Sequence, residues 1–174
     1  MKFIRTGDMK EGFEYPVVNE REVRATAGIM LLIGIITLFL VTNFKMYLLI
    51  KIVVPIFFLE FFLKVTFGPQ ASLFSLISGL IVKKQEPEYV GAIQKQFAWA
   101  LGLIMAGAMM IVVFGYGMKG IVPLSICLTC LTLMWIESVF GICVGCKIYW
   151  GLVNNNLIRK PKHRPRCSGG SCSL

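Results

Sequence analysis

From Ala25 to Val41 the sequence ATAGIMLLIGIITLFLV contains no charged residue. With Thr42 and Asn43 it reaches the roughly 20 residues that a helix needs to cross the hydrocarbon of a bilayer. Few folds can absorb such a run. The whole chain agrees with it: 56% of the 174 residues are hydrophobic, 16% are charged, and the mean hydropathy is +0.74. A soluble domain of this size does not carry that balance. The formal charge of +9 reads as a bias between membrane faces, and a nucleic-acid partner is not expected. Met1 to Arg24 mixes five basic with five acidic residues and has no apolar core, so a cleaved signal peptide is not expected either.

The remaining apolar runs complete an all-α, polytopic expectation: four membrane-spanning helices at about 25–43, 46–67, 97–116 and 121–140, forming one bundle domain over 25–146. The second run is interrupted by Lys51, Pro55, Glu60 and Lys64. Glu60 and Lys64 stand four apart and are expected to pair. Ser72 to Val82 (SLFSLISGLIV) is apolar but about half the crossing length, and reads as an interfacial or re-entrant piece. Lys83 to Lys95 reads as a polar link. With four spans, the arm 1–24, this link and the tail 147–174 share one side and carry five, three and six Lys or Arg residues; the opposite turns hold Lys45 and Lys119. The positive-inside rule then puts both termini in the cytoplasm.

Six cysteines fall into three pairs, Cys127 and Cys130, Cys143 and Cys146, and Cys167 and Cys172. Inside a span, Cys127 and Cys130 read as small soft packing residues. Cys143 and Cys146 lie where the fourth span ends, beside Lys147. A C-x-x-C there can close a disulfide, exchange thiols, carry sulfane sulfur or supply half of a four-thiolate metal site. Its reactivity hinges on the backbone. If the helix continues, its carboxyl-end dipole disfavours a thiolate; if it breaks at Gly141 and restarts near Cys143, the amino end favours one. Gly141 and Gly145 could equally form a packing face without chemistry. On the cytoplasmic side thiols are kept reduced and soluble carriers reach them, so a permanent structural disulfide is the least expected outcome.

Glu137 precedes Cys143 by about 9 Å of helix, on one predicted face with Cys127, Cys130, Met134 and Gly141. An intramembrane carboxylate is a functional candidate. It could move protons for the thiols or bind a cation, or pair with Lys51, Lys64 or Arg24. The tail after Lys147 is basic and free of acids, which suits anionic lipid. Cys167 and Cys172 flank a flexible Ser-Gly-Gly-Ser and could resolve or unload Cys143 and Cys146, or join them as metal ligands. No cofactor is expected: His163, the sole histidine, reads as part of the basic tail, and Met105, Met109 and Met110 read as packing. Trp135 and Trp150 fit interface anchoring as well as they fit a quinone site.

These residues carry a family resemblance. Val18 to Arg24 (VNEREVR), Phe67-Gly68-Pro69, Gln96-Phe97-Ala98 and, above all, E-x-x-F-G-x-C-x-x-C-x-x-Y from Glu137 to Tyr149 resemble the domain-of-unknown-function family DUF4395 over about Val17 to Tyr149. The resemblance implies a small protein of the bacterial inner membrane without an established activity, often encoded near thioredoxin-like or rhodanese-type proteins. The pairs Cys127/Cys130 and Cys167/Cys172 lie outside that motif and inherit no role. The leading expectation is a thiol-redox or sulfur-relay protein in which Cys143 and Cys146 cycle and Glu137 handles protons, with the bilayer and a soluble thioredoxin-like or rhodanese-type protein as partners. The alternatives are a transport module for a small sulfur species or soft metal ion, which would need a homo-oligomer, and a membrane scaffold for a soluble thiol enzyme.

Overall fold

The computed structural model of the protein describes residues 7–10, 12–117 and 120–158. Its element order is β1 (Val17–Asn19), α1 (Glu20–Phe44), α2 (Tyr47–Thr66), a 3₁₀ turn (Pro69–Ala71), α3 (Leu73–Val82), β2 (Tyr89–Gly91), α4 (Ala92–Met110), α5 (Ile121–Trp135) and α6 (Val144–Asn154). Wide π turns extend α4 over Ile111–Gly115 and α5 over Ile136–Phe140.

Three of these helices are long and apolar enough to cross a membrane: Glu20–Phe44, Ala92–Gly115 and Ile121–Phe140. Their outward faces bear large apolar side chains, among them Leu32, Phe39, Ile104, Ile111 and Leu128. Such continuous apolar surface belongs in lipid, and the chain has the build of a membrane protein. Helix α2 is as long, but Lys51, Glu60 and Lys64 fall within it. Helix α3, read in the sequence as interfacial or re-entrant, is a short helix packed on α1, where Thr26 Oγ1 and Ser78 Oγ lie 2.9 Å apart. Ser72 caps it, accepting from the Ser75 N–H. Glu60 supports the same end: its carboxylate takes hydrogen bonds from the Ser72 hydroxyl and the Phe74 N–H and pairs with Lys64 at 3.0 Å, as the i, i+4 spacing predicts. An anion at a helix amino end is well placed.

The fold is mostly helical, as expected, with one short addition: β1 and β2 form an antiparallel ladder that pairs Val17 with Gly91, Val18 with Val90 and Asn19 with Tyr89. Two expectations are corrected. The link Lys83 to Lys95 is not all loop, because α4 begins at Ala92 and Lys95 lies in its first turn. The tail does not leave the fold at Lys147, because α6 continues to Asn154.

The ladder fixes one end of the bundle. Helix α1 follows β1 directly and α4 follows β2 directly. The Glu20 N–H donates to the Glu88 carbonyl at 2.7 Å and the Ala92 N–H to the Pro16 carbonyl at 2.9 Å. Val18, Val23, Val90, Ala92 and Trp99 bury one core at this end, with Phe61 and Val65 against it. Met30, Phe74 and Met134 form a second, deeper one.

Candidate functional site

At the end of α5 the backbone departs from the α-helix. The turn Ile136–Phe140 is wound wide, and Gly141 then adopts φ 66°, ψ 19°. That left-handed conformation suits glycine, which lacks the Cβ that would clash. The carbonyls left over at this end go to Arg24, which donates to Ser138 at 3.4 and 3.2 Å and to Val139 at 3.1 Å. A cation at a helix carboxyl end also answers its dipole. A Cβ on Gly141 would lie 3.1 Å from the Arg24 guanidinium, so a side chain there would press on Arg24 in addition to straining the backbone.

The chain restarts as a helix at once. Cys143 is the N-cap of α6, with φ −83°, ψ 100°, and its Sγ accepts from the Cys146 N–H at 3.3 Å. Of the two backbones left open by the sequence, the broken one is observed, and Cys143 meets the positive end of a helix. The two sulfurs are joined as a disulfide, with the Cα atoms 5.2 Å apart. This is the state least expected as a permanent bond. Helix α6 lies close on α4: a Cβ on Gly145 would sit 2.6 Å from the Ala98 Cβ, and the Phe97 and Tyr149 rings stand 5.6 Å apart. Cys143 and Cys146 are each only 5% exposed. The open access expected for them is therefore corrected: both cysteines are buried in the fold. Burial also pushes the Tyr149 phenol up.

Glu137 has a partner that was not foreseen. Lys95 Nζ lies 2.9 Å from its carboxylate and 2.8 Å from that of Glu20. Lys95 is 1% and Glu20 0% exposed at the side chain, whereas Glu137 keeps 21%. Lys51, Lys64 and Arg24, the cations the sequence offered to Glu137, are engaged elsewhere or stand apart from it: Lys64 pairs with Glu60, and Arg24 holds the backbone. Among the described residues, Lys95 thus joins two carboxylates, one fully buried and one partly exposed. Lys95 was missed because it was assigned to a link. Its signal, a lone cation between Gln94 and Gln96 just ahead of an apolar run, resembles an ordinary helix flank. Lys95 and Ala98 are three residues apart and so share a face of α4, which brings the ion group and the disulfide to the same side of that helix.

Cys127 and Cys130 are free thiols in the body of α5. They line a cavity of about 440 Å³ in the bundle, as does Met134, but Glu137 does not. The face predicted to unite them with Glu137 is thus broken by the π turn. Cys167, Cys172 and His163 lie outside the described residues. Among the described residues no three His, Cys, Asp or Glu side chains converge as a metal site.

The family model described as "Domain of unknown function (DUF4395)" matches residues 18–154. The chain belongs to this family. The match runs from β1 to the last residue of α6, so the ladder, the ion group and the helix break all fall within the family's domain. No curated protein and no solved structure matches the chain.

Proposed function

We propose that this family member is a multi-pass protein of the bacterial cytoplasmic membrane that exchanges electrons through the Cys143–Cys146 disulfide. In this reading α2 is a fourth span, with Glu60 and Lys64 neutralising each other, and both termini face the cytoplasm, where the basic residues gather. The observation that carries the reading is the position of Cys143 as the N-cap of α6, with its sulfur on the Cys146 N–H. A thiolate there is stabilised by the helix amino end and by that N–H, so Cys143 is the nucleophile of the reduced state.

The exchange balances as follows. A thiolate of a reduced dithiol protein of thioredoxin type attacks Cys143 Sγ, forming a mixed disulfide and releasing Cys146 as a thiolate. The donor's second thiol attacks its own sulfur in the mixed disulfide, which closes the donor's disulfide and frees Cys143 as a thiolate. Two electrons pass to the membrane protein. Glu137, the more exposed of the two carboxylates on Lys95, accepts the released proton. For a donor to reach the sulfurs, α6 must part from α4 at the Gly145–Ala98 contact. The reverse sequence runs the exchange in the opposite direction.

The disulfide favours redox exchange over sulfane-sulfur transport, in which a single persulfide on Cys143 would leave Cys146 as a thiol. Thiol trapping of intact membranes across a series of glutathione potentials tests the proposal. A single two-electron transition confined to Cys143 and Cys146 is expected, with Glu137→Gln slowing exchange by about a hundredfold or more, the range of a lost proton carrier. A pair that stays oxidised, or stays reduced, at every potential rules it out.

A further inference from the structure

Away from the ion group the bundle holds no acid. No Asp or Glu occurs between Arg24 and Glu60 or between Lys95 and Glu137. These lengths of α1, α2, α4 and α5 surround the cavity of about 440 Å³, a volume in the range that takes one small organic ligand. Its lining runs along α2 from Tyr47 to Phe61 and along α5 from Ile121 to Met134, about 20 Å of helix in each. Between Lys51 and Phe61, α2 contributes only Val53, Val54 and Phe57 to it. At the turn from α1 to α2 the lining changes character: Thr42, Lys45, Tyr47 and Lys51 all border the cavity there, and all four are exposed. The cavity is thus long, largely apolar, and cationic at its accessible end.

The charges select the occupant. Among the described residues neither Lys45 nor Lys51 forms an ion pair. Lys45 closes α1, where the carboxyl-end dipole suits a cation, but Lys51 lies one turn into α2, toward the end whose dipole opposes one. A bound cation would meet two like charges and no carboxylate, and a neutral apolar molecule would leave both ammoniums without a counter-charge. The Thr37 and Thr42 hydroxyls donate to the Ile33 and Leu38 carbonyls of their own helix, at 2.8 and 2.9 Å, so recognition of a head group falls to the ammoniums. An amphiphile with an anionic head matches both ends of the cavity. We infer that it binds an anionic phospholipid, with one hydrocarbon chain between the helices and the phosphate held by Lys45 and Lys51, lysine being a point-charge partner for phosphate. The site uses neither Cys143 nor Cys146 and stands independently of their exchange.

The test is native mass spectrometry of the purified full-length chain in neutral detergent, titrated with phosphatidylglycerol and, for comparison, with phosphatidylcholine of the same chains, oleate and soluble glycerol phosphate. One phosphatidylglycerol should bind per chain, about tenfold or more tightly than phosphatidylcholine, as two lysines near one phosphate allow. Lys45→Gln/Lys51→Gln should abolish that preference, and Lys10→Gln, at another exposed cation, should keep it. Val113→Phe, which fills part of the cavity lining, should weaken phosphatidylglycerol binding; should it fail to fold, the double lysine variant decides, since both of its positions are exposed. Equal binding of the two phospholipids, a preference that survives Lys45→Gln/Lys51→Gln, or undiminished binding in folded Val113→Phe overturns the site. Oleate bound as tightly as phosphatidylglycerol overturns the phosphate head, and glycerol phosphate bound as tightly overturns the hydrocarbon chain.

Discussion

The two C-x-x-C pairs of the membrane domain have the same spacing and different chemistry. Cys143 caps a helix, in extended backbone behind a left-handed glycine, and its sulfur is joined to that of Cys146. Cys127 and Cys130 sit in the body of α5 and remain thiols. At the cap the first sulfur turns back over the amino end of its helix, where unpaired N–H groups favour negative charge. In a helix body those N–H groups are already used. What separates the joined pair from the free one is thus the helix break between them, together with the groups that hold the break in place.

Lys95→Met strikes at that hold most directly. It removes the ammonium that joins the buried Glu20 to the partly exposed Glu137, a loss of up to about 3–5 kcal/mol for a broken buried pair. The expected result is a sharp fall in the fraction of folded protein recovered in detergent, read by thermal unfolding. Lys51→Met, at an exposed cation on the cavity side, should cost under about 1 kcal/mol. Equal losses would mean that the two ends of the bundle are not held differently.

Gly141→Val attacks the break itself. A β-branched residue at this positive φ costs about 1–3 kcal/mol, and its Cβ crowds Arg24. Peptide mapping without reductant should then show less Cys143–Cys146 disulfide, which would move that pair toward the condition of Cys127 and Cys130. A variant with full disulfide content would show that the break does not set the chemistry.

Cys143→Ala against Cys143→Ser isolates the cap. Both remove the disulfide, but serine keeps an acceptor for the Cys146 N–H, so alanine should be less stable by about 1 kcal/mol, as measured by denaturant unfolding of the two variants. Equal stability would mean that the sulfur position contributes nothing to α6.

Much of this was legible because it is local. Uncharged runs mark α1, α4 and α5 through length alone, Glu60 and Lys64 announce their pairing by helical spacing, and Phe140-Gly141 signals a helix end. The partner of Glu137 was not legible, because Lys95 and Glu20 come from distant stretches brought together by a ladder of three residues a strand, too short to show an alternating pattern. The start of α4 was hidden for a related reason: Gln94, Lys95 and Gln96 look like a loop until the fold buries them. The close approach of α6 to α4 was hidden too, because it rests on Gly145 meeting Ala98, a contact written in two small residues far apart in the chain.

The ion group also bears on how the chain is made. Its members emerge from the ribosome in the order Glu20, Lys95, Glu137, one from each of the three long apolar helices. Each charge is expensive in an apolar setting without its counterpart, so the closed end draws on all three of these helices. A chain that stalls before Glu137 keeps Lys95 with one acid in place of two. The triad is therefore a tie between the first and last of the long apolar helices and the one between them, complete only when all three are present.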